Sequence, residues 1–473
     1  MIVRRLFQNQ LAQTSYLVVC EHNKVGLVVD PNRHTESYLD AAAAGNIKII
    51  AVAETHIHAD FVSGSRELAK ATGATLYLSG AGGPDWEYRF AKESGAQVLA
   101  DHSTFTIGDI RVEALHTPGH TPEHMSFLLT DTAVASEPMG ALTGDFIFVG
   151  DVGRPDLLER AAGMAGTMEA SARVLFKSLA KFKERPDYLQ LWPGHGAGSA
   201  CGKALGAMPQ TTLGYERLFN WALAEADEER FVAEVLAGQP EPPAYFAIMK
   251  RVNRDGPAPR SAAVPPTLDA SAVAAMLDAG AVVVDTRLAA EFAKSHAVGS
   301  IHLPRNKSFL NWAGALLPYD ADLTFIGDSS EDQRKSLASD LSLIGIERIA
   351  GVFPDDFLRD LEKFNVELTT SEKISTADAR ADENASIIDV RGRSEFAAGH
   401  IPVAVNIPLV ELQNRIAEIP AGKVIVHCQG GSRSAIAASI LQRRGRNDVL
   451  DMAGGFSEWE RAGLGSERGH RAD

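Results

Sequence analysis

Cysteine is scarce in this chain: Cys20, Cys201 and Cys428 are the only three in 473 residues. So sparse, odd and widely spaced a set makes a poor disulfide framework. It fits a reducing compartment and excludes a cysteine-rich zinc or iron–sulfur site. Long apolar runs are missing as well, and no stretch approaches the roughly 18 apolar residues that span a bilayer. The opening Met1–Gln10 carries a basic pair, Arg4-Arg5, but turns polar where a secretion signal needs an apolar stretch. A cytoplasmic protein with no membrane partner is therefore expected. Nor is there an excess of positive charge. A formal net charge of −15 argues against nucleic acid, which rewards a basic patch, although an anionic small substrate can still find a local basic pocket.

A chain of this length exceeds one hydrophobic core, and its punctuation shows the divisions. Residues 253–266 run Asn253-Arg254-Asp255-Gly256-Pro257-Ala258-Pro259-Arg260 and on to Pro265-Pro266, the composition of a linker. Beyond it lies an internal repeat. Val282-Val283-Val284-Asp285-Thr286-Arg287, with Glu291-Phe292 and His296, matches Ser386-Ile387-Ile388-Asp389-Val390-Arg391, with Glu395-Phe396 and His400, offset for offset. Short apolar runs alternate there with helical patterns such as Ser434–Arg444, which predicts parallel sheets flanked by helices. The first domain opens on strand-like runs at Tyr16–Val19, Val25–Asp30 and Ile49–Ala53, with helices at Arg66–Thr72 and Ser171–Phe182. The expected class is α/β multidomain: residues 1–252, a linker at 253–266, and two modules at 267–366 and 370–468.

Four clusters in the first domain carry metal-capable side chains. Glu54-Thr55-His56-Ile57-His58-Ala59-Asp60-Phe61 follows an apolar strand. Next come His116-Thr117-Pro118-Gly119-His120-Thr121-Pro122-Glu123-His124, where two prolines forbid a regular helix, then Thr143-Gly144-Asp145, and last Trp192-Pro193-Gly194-His195-Gly196. Any one alone has a bland reading as a turn or loop; four in this order make coincidence a poor account. The set resembles the metallo-β-lactamase superfamily, which implies an αββα sandwich. The residue after Asp60, usually a second-site histidine in the hydrolases, is Phe61, which cannot ligate.

Within that superfamily the sequence is most similar to the persulfide dioxygenases. The resemblance implies one Fe(II) per chain held by His56, His120 and Asp145, two imidazoles and a carboxylate with positions left open for substrate. It implies that His58, Asp60 and His195 orient ligands or substrate, and that Arg154, in Gly153-Arg154-Pro155-Asp156, clamps a carboxylate of glutathione; an ordinary surface ion pair is the other reading of Arg154. His116 and His124 read as loop packing. Cys20 and Cys201 read as structural, although Cys201 follows the His195 segment and can lie near the metal.

The second chemical signature is Val424-Ile425-Val426-His427-Cys428-Gln429-Gly430-Gly431-Ser432-Arg433-Ser434. A strand ends at Cys428, and a glycine loop runs into a helix. The backbone N–H groups of Gln429, Gly430, Gly431 and Ser432 are placed to form an anion-binding nest that also favours thiolate, with Arg433 adding charge for a sulfonate-like group. This loop resembles the rhodanese active site, with Cys428 as the sulfur-carrying nucleophile. Related phosphatase loops place their arginine after five intervening residues, one more than here. The first copy has Gly327 or Asp328 where the nucleophile belongs and cannot turn over. It reads as a spacer, a docking surface or a dimerisation element, and a homo-oligomer is expected. The triplet Asp389, Arg391 and Glu395 recurs in that inactive copy and so reads as fold-holding. Together the resemblances imply oxidation of a small persulfide such as glutathione persulfide by O2 to sulfite and thiol. Sulfur transfer to or from thiosulfate would be coupled to it, in sulfide detoxification. The alternative is a glyoxalase II-like thioester hydrolase with an accessory sulfur carrier.

Overall fold

In the computed structural model of the chain, all residues are described except 161–165, 200, 204, 240 and 470–473. The chain forms two compact units, Met1–Ser261 with Ser339–Gly345, and Ala262–Ala338 with Ile346–Asp473. Among the described residues no helix is long and apolar enough to cross a membrane.

Strand periodicity sorts the side chains of the first unit into layers. Along Gln13–Cys20, Tyr16 and Val18 join the same core cluster as Phe127, Leu129 and Leu142 of a second sheet. Leu17 and Val19 point the other way, to Tyr38 and Leu68 on helices. The first sheet runs Ile2–Gln8, Gln13–Cys20, Val25–Val29, Lys48–Ala53, Thr75–Ser79, Gln97–Leu99. The second orders Thr211–Thr212, Gln190–Pro193, Gly140–Gly144, Met125–Asp131, Ile110–His116, Thr104–Ile107. Its outer face, with Leu115, Leu128, Ala141 and Leu191, packs on Leu175, Leu179 and Phe231 from helices Met168–Phe182 and Glu228–Leu236. This is the expected αββα sandwich. The expected linker is corrected at its start: a helix runs Phe246–Asp255, and Asn253 is buried.

The second unit holds two parallel sheets. Ile301–His302, Val282–Asp285, Leu323–Gly327 and Ile349–Pro354 make a four-stranded one. Glu372–Ile374, Val449–Met452, Val424–His427, Ser386–Asp389 and Val405–Asn406 make a five-stranded one. Asp285 pairs in register with Ile326, and Asp389 with His427. Gly327 is thus the counterpart of Cys428, which resolves the choice between Gly327 and Asp328. The helix Ser432–Arg443 is fastened to the first copy. His302 N donates to Ser439 Oγ at 2.9 Å, His296 Nε2 lies 3.2 Å from Gln442 Oε1, and Arg443 donates to the carbonyls of Gly280 and Ala281 at 3.0 and 3.1 Å.

Candidate metal centre and cysteine loop

The strand Lys48–Ala53 delivers His56 into the interior, where it is 1% exposed. Asp30 fixes the turn, accepting from Thr55 N at 2.7 Å and Thr55 Oγ1 at 2.8 Å. The hydroxyl has spent its proton on Asp30, so at 2.9 Å it accepts from His56 Nδ1–H. His56 Nε2 is left with a bare lone pair. His120 is set the same way: Nδ1 donates to the Arg154 carbonyl at 3.0 Å. Burial first, then the neighbouring histidines, holds His56 well below the usual imidazole pKa; burial also lowers His120, with Asp145 opposing. Both rings are neutral, as ligation needs.

Asp145 enters from the end of Gly140–Gly144. Gly144 sits at φ +48°, and a Cβ there would come within 2.5 Å of Thr55 Oγ1 and 2.8 Å of His124 Nε2, so only glycine fits. His124 Nε2 accepts the Asp145 N–H at 3.1 Å, while its Nδ1 donates to Thr117 Oγ1 at 2.9 Å. His116 Nε2 donates to the Pro122 carbonyl at 2.7 Å. These two histidines do the loop-holding expected of them. Asp145 Oδ2 lies 3.5 Å from His120 Nε2 and 3.9 Å from His56 Nε2, and both its oxygens lack a hydrogen-bond partner. Two bare imidazole nitrogens and an orphaned buried carboxylate, all within 4.8 Å of one another, suit a cation and are costly without one. The residues fit a metal.

The remaining predicted residues divide. His195 donates Nδ1–H to the Ala12 carbonyl at 3.1 Å and turns Nε2 to Asp60 Oδ2 at 3.3 Å and Asp145 Oδ1 at 3.5 Å. His58 does not join the cluster through its Nε2, which lies 3.1 Å from Glu54 and 3.2 Å from Asp30. Burial would depress its pKa, but these two carboxylates raise it well above the usual value. Its ring packs at 4.2 Å from His56 and 4.3 Å from Phe61. Arg154 is fully buried, and its Nε and Nη2 donate to the two oxygens of Asp156 at 2.8 and 2.7 Å. The surface ion pair considered for it is therefore a buried one.

Two contributors, Glu123 and Asn253, were not singled out by sequence, and Cys201 was placed near the metal only through its position after the His195 segment. Asp60, His195 and Cys201 form a second group within 4.8 Å, so the loss of a histidine at Phe61 does not empty that side. Burial, with Asp60 and Asp145 nearby, raises the Cys201 thiol well above its usual pKa and keeps it protonated. Glu123 Oε1 accepts the N–H of Ile57, between His56 and His58, at 2.7 Å. Asn253 donates to the carbonyls of His58 and Phe61, each at 2.7 Å, and accepts from Ser63 N at 2.9 Å. The signal for Glu123 was its place beside His124; for Asn253 there was none.

In the second unit Cys428 is 2% exposed, at the end of Val424–His427. Gly431 N donates to its Sγ at 3.1 Å, and Ser434 Oγ lies 3.7 Å away. A Cβ at Gly430 or Gly431 would meet nothing within 4 Å, so the loop borders open space. The Gln429 side chain is committed to scaffolding: Oε1 accepts from Arg391 Nη1 and Nε2 donates to Ser457 Oγ, both at 2.9 Å. Ser432 opens the helix Ser432–Arg443. Arg433 gives both terminal nitrogens to Glu395, at 2.6 and 2.8 Å. Asp389 and Arg391 pair with each other, while Glu395 pairs with Arg433 of the cysteine loop.

The family models agree with this architecture. The metallo-beta-lactamase superfamily model matches residues 9–195, and the rhodanese-like domain model matches 269–352 and 374–462. The crystal structure of a metallo-beta-lactamase from Staphylococcus aureus subsp. aureus COL is 39% identical, covers 75% of this chain and 98% of its own, and superposes with a TM-score of 0.67. A sulfurtransferase of Allochromatium vinosum is 36% identical over 83 residues, 17% of this chain and 78% of the relative. A hydroxyacylglutathione hydrolase of Dictyostelium discoideum is 29% identical over 184 residues, 38% of this chain and 61% of the relative. The chain belongs to the metallo-β-lactamase superfamily and carries tandem rhodanese-like domains after that fold. It is an enzyme that joins the two.

Proposed function

We propose that the chain is a persulfide dioxygenase with sulfurtransferase activity, using residues 1–252 for oxidation and 370–468 for sulfur transfer, with 267–366 as the inactive copy. The observation that carries this reading is the union in one chain of the His56/His120/Asp145 cluster with a cysteine loop built to hold sulfur. Two neutral imidazoles and one carboxylate are the donor set of a non-haem Fe(II) centre, and one iron per chain is assigned to them. His56, His120 and Asp145 would hold the iron, which would supply the redox chemistry for oxidation of glutathione persulfide or a similar donor by O2. The chain's own residues keep the donors in their metal-ready tautomers through Thr55 and the Arg154 carbonyl, and exclude bulk water by burial. The overall change consumes persulfide, O2 and water and releases sulfite and the thiol. Cys428 carries sulfane sulfur to or from thiosulfate, which fits sulfide detoxification in a reducing cytoplasm, where its three unpaired cysteines persist.

A second reading is favoured by the Asp60/His195/Cys201 group and the hydrolase relative: a two-metal thioester hydrolase. Oxygen uptake by iron-loaded protein with glutathione persulfide, with sulfite released and one iron counted per chain, supports the dioxygenase. Absence of uptake together with thioester cleavage and two metals per chain establishes the hydrolase instead.

A further inference from the structure

The internal repeat is a built-in control that separates charged pairs serving the fold from those serving the cysteine loop. Arg287 bonds both oxygens of Asp285, and Arg391 both oxygens of Asp389. Phe292 stacks on His296 and Phe396 on His400, each at 3.8 Å. The two glutamates differ. Glu291 meets Lys294 at 3.0 Å on an exposed helix. Glu395 takes both terminal nitrogens of Arg433 and also accepts the Gly392 N–H at 3.1 Å. The first copy has Gly327 in the cysteine's register and then Asp328-Ser329-Ser330-Glu331-Asp332, with neither nucleophile nor arginine. The Glu395 pairing therefore accompanies the nucleophile.

A carboxylate bound to both terminal nitrogens of a guanidinium takes one of its bidentate edges and offsets much of its charge. Arg391, the other cation at the loop, is committed to Asp389 and Gln429. An arriving anion thus meets a weakened Arg433 beside backbone N–H groups such as that of Gly431. Burial alone would raise the Glu395 carboxyl, but the bonds from Arg433 outweigh it and hold the group below its ordinary range, hence ionised at neutral pH.

We propose that Glu395 is a specificity-determining residue of the Cys428 loop: by occupying Arg433 it disfavours donors that present a sulfonate relative to organic persulfides. The inference rests on the sulfur-transfer reading above. With thiosulfate, the Cys428 thiolate attacks the sulfane sulfur, a new S–S bond forms, the old one breaks, and its electron pair leaves on sulfite as a dianion. With an organic persulfide RS–SH, the same attack on the outer sulfur gives the Cys428 persulfide and expels RS⁻ as a monoanion. Only the first case brings three anionic oxygens beside Arg433 and releases a doubly charged product there.

The test is the rate of Cys428 persulfidation, read by intact-protein mass, with thiosulfate and with glutathione persulfide as donors. Glu395→Gln keeps an oxygen for Gly392 N and removes the charge. It is expected to raise the thiosulfate-to-persulfide rate ratio about fivefold, the scale of a partly exposed ion pair, with the gain shrinking as salt is added. Adding Arg433→Gln should erase the gain, and Glu291→Gln should leave the wild-type ratio. An unchanged or lowered ratio in Glu395→Gln, with wild-type thermal unfolding, overturns the inference. A wild-type protein that loads sulfur from neither donor overturns the sulfur-transfer reading itself, and this inference with it.

Discussion

Replacing Asn253 by Ala removes one amide that serves three backbone groups at once: the carbonyls of His58 and Phe61 and the N–H of Ser63. All four residues are buried, so the groups lose their partner where bulk water does not reach. A buried polar group stripped of its partner costs about 1–3 kcal/mol. Water entering the vacated amide volume recovers part of that, which leaves a loss of about 3 kcal/mol for the three together. The turn carrying His56, His58 and Asp60 bears the loss, so metal retention should fall with stability. Urea unfolding of the first unit's transition, beside iron content after dialysis against a weak chelator, measures both. The expected result is a lower midpoint at unchanged slope and a substoichiometric iron content. Asn253→Asp should do nearly as badly, because a carboxylate can accept from Ser63 but cannot donate to two carbonyls. A loss below about 1 kcal/mol with full iron content would refute the reasoning.

Two further predictions concern charge and sulfur. Burial raises the Glu123 carboxyl to about 7 from its ordinary value of 4.5, so the native state holds a proton that the unfolded chain gives up at lower pH. In metal-free protein the stability contribution is therefore full below about pH 4.5 and lost as pH rises to about 7. Glu123→Gln, which keeps the Ile57 bond, should gain on wild type across that window by up to about 3 kcal/mol; a constant difference between pH 5 and 8 counts against it. Cys428→Ser should abolish persulfidation of the second unit while leaving persulfide-dependent oxygen uptake; equal loss of both would show that the two chemistries are not separable.

What the sequence made legible was what it concentrates locally. His56, His120 and Asp145 stand in short motifs at strand ends, and Cys428 sits in a glycine loop between a strand and a helix. The αββα layering was implied by the resemblance those motifs carry; the run Tyr16–Val19 is apolar throughout and does not by itself say which side chain faces which layer. What stayed hidden depends on contacts distant in the chain. Asn253 lies 195 residues from His58 and 192 from Phe61, inside a stretch whose prolines and glycine mark it as a linker. Arg154 shows no sign in sequence that its guanidinium is buried against Asp156. Glu395 hides its partner for a different reason: its repetition as Glu291 is genuine, but the partners, Arg433 and Lys294, are chosen by the fold. Cys201 could be placed near the metal only as a possibility, because the meeting with Asp60 and His195 is made by loops.

The grip of the first rhodanese-like copy on the helix Ser432–Arg443 bears on how far this protein can be taken apart. Ser439, Gln442 and Arg443 each have a partner in a module that has no nucleophile of its own. Excising residues 370–468 as a stand-alone catalyst would uncover Ser439, which is fully buried and would keep only its bond to the Ile436 carbonyl, and would unseat the far end of the helix whose near end shapes the cysteine loop. The silent copy thus sets the smallest transplantable piece: a pair of modules rather than one.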